Sequence, residues 1–210
     1  MKQSAFSLGR ISALSDGVFA VAMTLLVLGL KLPPLEPLAD TSVVTAFVVE
    51  QFPRFISWIL SYAILCRLWI MHHALLRTGN TRSSSFTTWN FVFLGVIAFI
   101  PFPASFMSEH QEQALSVFIF SAAYLVAGLA LGAMAVAYRK QLESAGASRE
   151  VRSVSRAVAV VVVTALISCL LALVRPWLGV VVWLVYPFAS ALEVRMRTPE
   201  NPHGNRKSGH

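Results

Sequence analysis

Six runs of mainly apolar residues, each near 20 long, divide this 210-residue chain, at about residues 8–30, 55–76, 87–107, 114–137, 157–174 and 177–193. A helix rises about 1.5 Å per residue, so about 20 residues cross a hydrocarbon slab about 30 Å thick. Within that slab every backbone N–H and C=O must be satisfied, which for runs of this length leaves the helix as the solution. The fold class that follows is all-α, a polytopic membrane protein with six transmembrane helices. Composition agrees: 56% of the residues are hydrophobic and 13% charged, with a mean hydropathy of +0.67. A soluble domain carries about a quarter charged residues.

Proline punctuates these runs where helices would stop or bend. Pro33, Pro34 and Pro37 follow the first run, Pro101 and Pro103 lie late in the third, and Pro176 opens the sixth. Residues 43–54 are apolar but include Glu50 and Arg54, and fit either an outward extension of the second helix or an interfacial turn. Lys2 and Arg10 precede the first run, yet that run contains Asp16 and no small-residue cleavage site, so a removable signal peptide is not expected. Residues 1–197 form one membrane domain in this scheme. The Pro-, Gly-, Asn- and Ser-rich stretch 198–210 has little to bury and is expected to be a disordered tail.

Charge placement orients the spans. The net charge of +7 and pI near 10 come from basic residues at the ends of apolar runs, not along one exposed face, so they give no ground for a nucleic-acid partner. Of the 17 Lys and Arg, Arg67 lies in a span and Lys31, Arg54 and Arg175 lie on one side; the other 13 lie on the opposite side. Excess positive charge keeps segments cytoplasmic, which places both termini there. Cys66 and Cys169 sit inside apolar runs without disulfide or metal spacing.

Charged groups in a span cost at least a few kcal/mol each and need a partner or a task. Asp16 and Arg67 are the clear cases, and Asp16 is the most obvious carboxylate for Arg67. By helical rise, Ser15, Asp16, His72, His73 and Asn90 can meet in the cytoplasmic third of the membrane, with Arg67 deeper. Interhelical hydrogen bonding accounts for such a set. A metal site is not expected, because adjacent histidines point about 100° apart and no further ligand completes a coordination shell. Nothing in the sequence calls for a cofactor.

On the first helix, Val21, Leu25 and Leu28 fall within about 60° of one another, Thr24 lies beside them, and Asp16 points about 140° from Val21. By periodicity alone such a stripe reads as ordinary lipid contact or helix packing, and a pore wall is the minority reading. Motif content separates these readings. Arg10-x-x-x-Leu14-Ser15-Asp16 resembles the R-x-x-x-F-S-D signature that opens the first helix of the transmembrane protein 175 family of potassium channels. Gly17-Val18-Phe19-Ala20 and Met23-Thr24-Leu25-Leu26-Val27-Leu28 are similar to its bacterial members. Trp69-x-x-His72-His73, Trp89-Asn90, Leu94 and Ile100-Pro101-Phe102-Pro103 resemble its second and third helices. The resemblance covers residues 10–107 by motif and the remainder by span number.

The resemblance implies a potassium-permeable cation channel in the inner (plasma) membrane, possessing no carbonyl filter; no T-V-G-Y-G occurs here. The lipid bilayer and monovalent cations, potassium among them, are its implied partners. One chain carries one copy of the motif, so the resemblance to single-repeat bacterial members implies a homotetramer around one axis. Val21, Thr24, Leu25 and Leu28 then line the pore. Ser15, Asp16, His72, His73 and Asn90 hold the first helix against its neighbours, and Arg10 turns toward acidic or carbonyl partners. Two positions depart from the family pattern. Leu14 replaces the signature Phe, and Val21 stands where the family narrows with Ile or Leu, which leaves a wider or shorter constriction.

Three other classes compete, of which a structural or assembly protein would share every topological feature above. A secondary transporter would also place polar groups at membrane depth, but the two halves lack inverted similarity and matching broken helices. An intramembrane enzyme using His72 or His73 lacks a nucleophile motif such as G-x-S-x-G, so no catalytic residue is assigned.

Overall fold

A computed structural model describes residues 8–30, 41–77, 84–144 and 148–195 of the chain. The tail 198–210 lies outside them. The helices, in order, are α1 (Leu8–Leu25), α2 (Thr41–Arg77), α3 (Ser84–Phe99), α4 (Pro101–Glu109), α5 (Ala114–Ser144), α6 (Ser148–Val174) and α7 (Pro176–Arg195), and no strand occurs among the described residues. Five segments are long and apolar enough to cross a membrane: Gly9–Gly29, Thr41–Arg77, Ser85–Glu109, Ala114–Ala137 and Arg152–Val174. The sixth run is helical too, but its apolar part, Pro176–Phe188, is shorter.

Local chemistry explains where these helices bend or continue. The first span tightens into a 3₁₀ turn at Leu26–Gly29 before the chain becomes extended at Leu30. The third span is α3 followed by α4. Pro101 and Pro103 cannot donate to the carbonyls four residues back, so the ladder is interrupted at Ile100 although Ile100 and Ala104 still donate, to Val96 and Ile100 respectively. Residues 43–54 extend the second helix: α2 runs from Thr41 straight through Pro53, beginning about fourteen residues before the boundary expected from hydropathy. The alternation of exposed apolar side chains with Glu50 and Arg54 hides that continuity from a hydropathy reading.

α5, α6 and α7 pack into one layer, with α3 against α5, while α1 lies against α2 and α3. Small residues permit the close approach. A Cβ added to Gly128 would lie 2.9 Å from Val162 Cγ2, and one added to Gly179 would lie 2.8 Å from Val117 Cγ1 and 3.0 Å from the Ser168 carbonyl. Polar side chains then tie the layer together. Trp183 Nε1 donates to Ser121 Oγ at 3.0 Å, the Ser121 and Ser168 hydroxyls are 2.7 Å apart, and Ser168 donates to the Gly179 carbonyl at 2.9 Å. Since a hydroxyl has one proton and Ser168 gives its own to Gly179, Ser121 is the donor between the two serines. Phe120, Tyr124, Trp183 and Tyr186 pack edge-on or tilted around this chain.

Candidate functional site

Together with the 3₁₀ turn Leu26–Gly29 that continues it, α1 has one half that its own chain covers, defined by Ile11, Ser15, Phe19, Ala22 and Leu26, all buried. These recur three or four residues apart, as one helical face must. The opposite half is open. Val21 is 57% exposed, Leu25 41% and Leu28 74%, and Thr24 lies among them, also exposed. Arg10, Ala13, Leu14, Gly17 and Ala20 share this open half. A Cβ built on Gly17 meets nothing within 4 Å. Of the five spans, α1 is the least covered, with 28% of its apolar window buried against 39–56% in the others.

Thr24 is locally restrained. Its hydroxyl donates to the carbonyls of Ala20 at 3.0 Å and Val21 at 2.9 Å, as helical threonines do. Its proton therefore points back along the helix, and the oxygen lone pairs are left toward the open side.

The polar residues expected to meet around α1 fall into two separate sets. Asp16, at the edge of the open half, accepts a 2.9 Å hydrogen bond from Trp69 Nε1 of α2. The Trp69 ring stacks on His73 one turn later, with centroids 5.3 Å apart. In the second set, His72 Nε2 lies 2.8 Å from Asn90 Oδ1, with His72 1% exposed and Asn90 fully buried. Since Oδ1 can only accept, the contact requires the tautomer protonated at Nε2. Phe93 stacks on the imidazole at 5.1 Å and Phe19 of α1 leans against it at 6.1 Å. Ser15 joins neither set; it is buried and donates to its own helix at the Ile11 carbonyl, 2.8 Å away.

Arg67 is on another face of α2. Trp69 and Arg67 are two residues apart, which separates them by about 200° around the helix. With Trp69 turned to Asp16, Arg67 turns toward α7 and hydrogen-bonds the Tyr186 hydroxyl.

Trp69 thus joins α1 and α2 by a hydrogen bond, and Phe19 of α1 and Phe93 of α3 form the walls around His72. The signal for Trp69 was available: it stands four residues before His73, on the same helical face. Tyr186 as the partner of Arg67 had no such signal, because α7 is distant in sequence. No group of three or more His, Cys, Asp or Glu able to hold a metal occurs among the described residues.

Residues 10–101 match the family model described as the endosomal/lysosomal potassium channel TMEM175. The chain is 30% identical over 120 residues to a potassium channel of Chamaesiphon minutus, covering 56% of this chain and 59% of that one. It is 28% identical over 131 residues to a potassium channel of Streptomyces collinus, covering 62% and 61% respectively. The chain therefore spans about 60% of the length of these relatives. Among solved structures, a lysosomal potassium-selective channel TMEM175 homolog from Chamaesiphon minutus superposes with a TM-score of 0.76 at 25% identity, covering 89% of this chain and 97% of that one. The potassium channel MtTMEM175, at 17% identity and a TM-score of 0.60 over 94% of this chain and 95% of that one, shares the fold.

Proposed function

We propose, from the match of residues 10–101 to the TMEM175 family and the likeness of the whole fold to its bacterial homolog, that this chain is a member of that family and forms a potassium-permeable cation channel in which α1 lines the pore. The observation that carries the reading is the uncovered apolar half of α1. A single α1 cannot enclose an ion path, and its open half exceeds what one lipid-facing stripe needs. Four copies arranged about an axis account for both facts, with Val21, Leu25 and Leu28 toward the centre and Ala13, Gly17 and Ala20 toward the neighbouring subunit. Small residues at such spacing let helices approach closely.

In this arrangement Val21, Leu25 and Leu28 form successive apolar rings that control conduction by dewetting, without a carbonyl filter. Thr24 presents its lone pairs between those rings to a partly dehydrated cation. Arg10 lies at the cytoplasmic mouth, within about 20° of the Val21 direction, and bends aside toward acidic or carbonyl partners. The Asp16–Trp69 hydrogen bond and the packing of Phe19 against His72 fix the azimuth of α1, which decides whether valine and leucine or alanine and glycine face the axis. Both termini lie in the cytoplasm of a cell whose inner membrane holds the channel, as the charge asymmetry of the loops supports. Residues 1–197 make up the channel domain.

The test is passive flux of potassium and of sodium from liposomes containing the purified full-length chain. Val21→Leu narrows the ring and is expected to cut flux about tenfold, an added barrier of about 1.4 kcal/mol; Val21→Ala raises it. Flux that saturates and requires a counter-ion gradient contradicts the channel and indicates a carrier.

A further inference from the structure

Where α6 ends, the chain passes through Arg175 into α7, and the turn between α4 and α5 lies alongside. Together they enclose a half-open groove of about 480 Å³ lined by Gln111, Glu112, Arg175, Trp177, Val180 and Val181. That size falls within the range of about 300–1,000 Å³ common to small-molecule sites.

The groove is apolar at Trp177, Val180 and Val181 and charged at Arg175 and Glu112. Trp177 is 61% exposed and Val181 42%, and both continue onto the outward-facing surface of α6 and α7 at Leu173, Val174, Leu184 and Val185. That surface faces acyl chains in a span. At the other edge Arg175 and Glu112 are exposed and carry opposite charges. Among the described residues neither of these side chains has a hydrogen-bond or ion-pair partner. Tryptophan beside a basic residue at a span end marks the headgroup level of a bilayer.

We propose that this groove binds a phospholipid whose headgroup carries a primary ammonium. The phosphodiester sits on the Arg175 guanidinium, whose planar donors match phosphate oxygens. The ammonium donates to the Glu112 carboxylate, and the chains descend past Trp177 and Val181. Charge complementarity selects this occupant over its neighbours. An anionic lipid without an amine brings like charge to Glu112, and a quaternary choline has no N–H to give it. On the orientation proposed above, Arg175 lies on the side away from the cytoplasm, so the site draws its lipid from the outer leaflet of the membrane.

Native mass spectrometry of the detergent-solubilised full chain, offered equimolar phosphatidylethanolamine, phosphatidylcholine and phosphatidylglycerol, tests the assignment. Wild-type protein is expected to retain the ethanolamine lipid about threefold to fivefold over the others, the advantage of one exposed ion pair. Glu112→Gln abolishes that preference, Arg175→Gln lowers retention of all three lipids, and Val181→Trp, which fills the groove, does the same. Equal retention of the three lipids by the wild type overturns the proposal, as does a preference that survives Glu112→Gln. Displacement by soluble phosphoethanolamine overturns it too, by assigning the site to a free headgroup. The wild-type comparison decides the matter even if a variant fails to fold. Because lipid retention is read without ion flux, its outcome is independent of the channel assignment.

Discussion

The His72–Asn90 contact offers a quantitative test of how the first three helices are held in register. Both side chains are buried, and the 2.8 Å contact satisfies the one buried donor of His72. Asn90→Leu keeps most of the volume but removes the acceptor. Leaving a buried polar group unpartnered costs about 1–3 kcal/mol, so we expect about 2 kcal/mol for this variant and about the same for His72→Phe. The double variant removes both polar partners and places a phenyl ring where the imidazole already contacts Phe19 and Phe93. Replacement of both partners by apolar groups is close to neutral, so its cost should not exceed about 1 kcal/mol. The cycle then gives a coupling of about 3 kcal/mol, the upper end for residues in direct contact. Reversible unfolding in an SDS titration, followed by fluorescence of the five tryptophans, measures each midpoint. Additive single-variant costs would refute the reasoning, since they would mean that the two groups do not satisfy each other.

Trp69→Phe keeps an aromatic ring near His73 but removes the donor to Asp16. Hydrogen bonds to charged groups contribute about 1.5–3 kcal/mol, and partial exposure of Asp16 reduces this to about 1 kcal/mol, read as a lower midpoint in the same titration; an unchanged midpoint counts against the contact. Gly179→Ala should destabilise the chain by about 1–3 kcal/mol because its methyl meets Val117 and the Ser168 carbonyl. Gly17→Leu has open space in the single chain and should leave the unfolding midpoint unchanged or raised. On the proposed assembly it should abolish the tetramer in chemical cross-linking, and intact tetramers would argue against α1 as the subunit interface.

Much of the helical layout was legible because a membrane imposes one length on every span. The two clear departures have local causes. α2 begins at Thr41 because Pro53 is accommodated inside a long helix, which hydropathy does not register. The third span is divided at Ile100 because two prolines withhold their N–H groups.

For the candidate site, the sequence supplied the depths of Ser15, Asp16, His72, His73 and Asn90, since rise per residue is fixed. It could not supply their partners, because a contact depends on the rotation of each helix relative to its neighbours as well as on depth. Trp69 takes Asp16, Asn90 takes His72, Ser15 turns to its own backbone and Arg67 turns to Tyr186. The sequence by itself determined that apolar runs cross a membrane and that one side of α1 carries Val21, Leu25 and Leu28. Only the tertiary structure decided that this side is left uncovered, because packing of the other helices fixes which half of α1 the chain can bury.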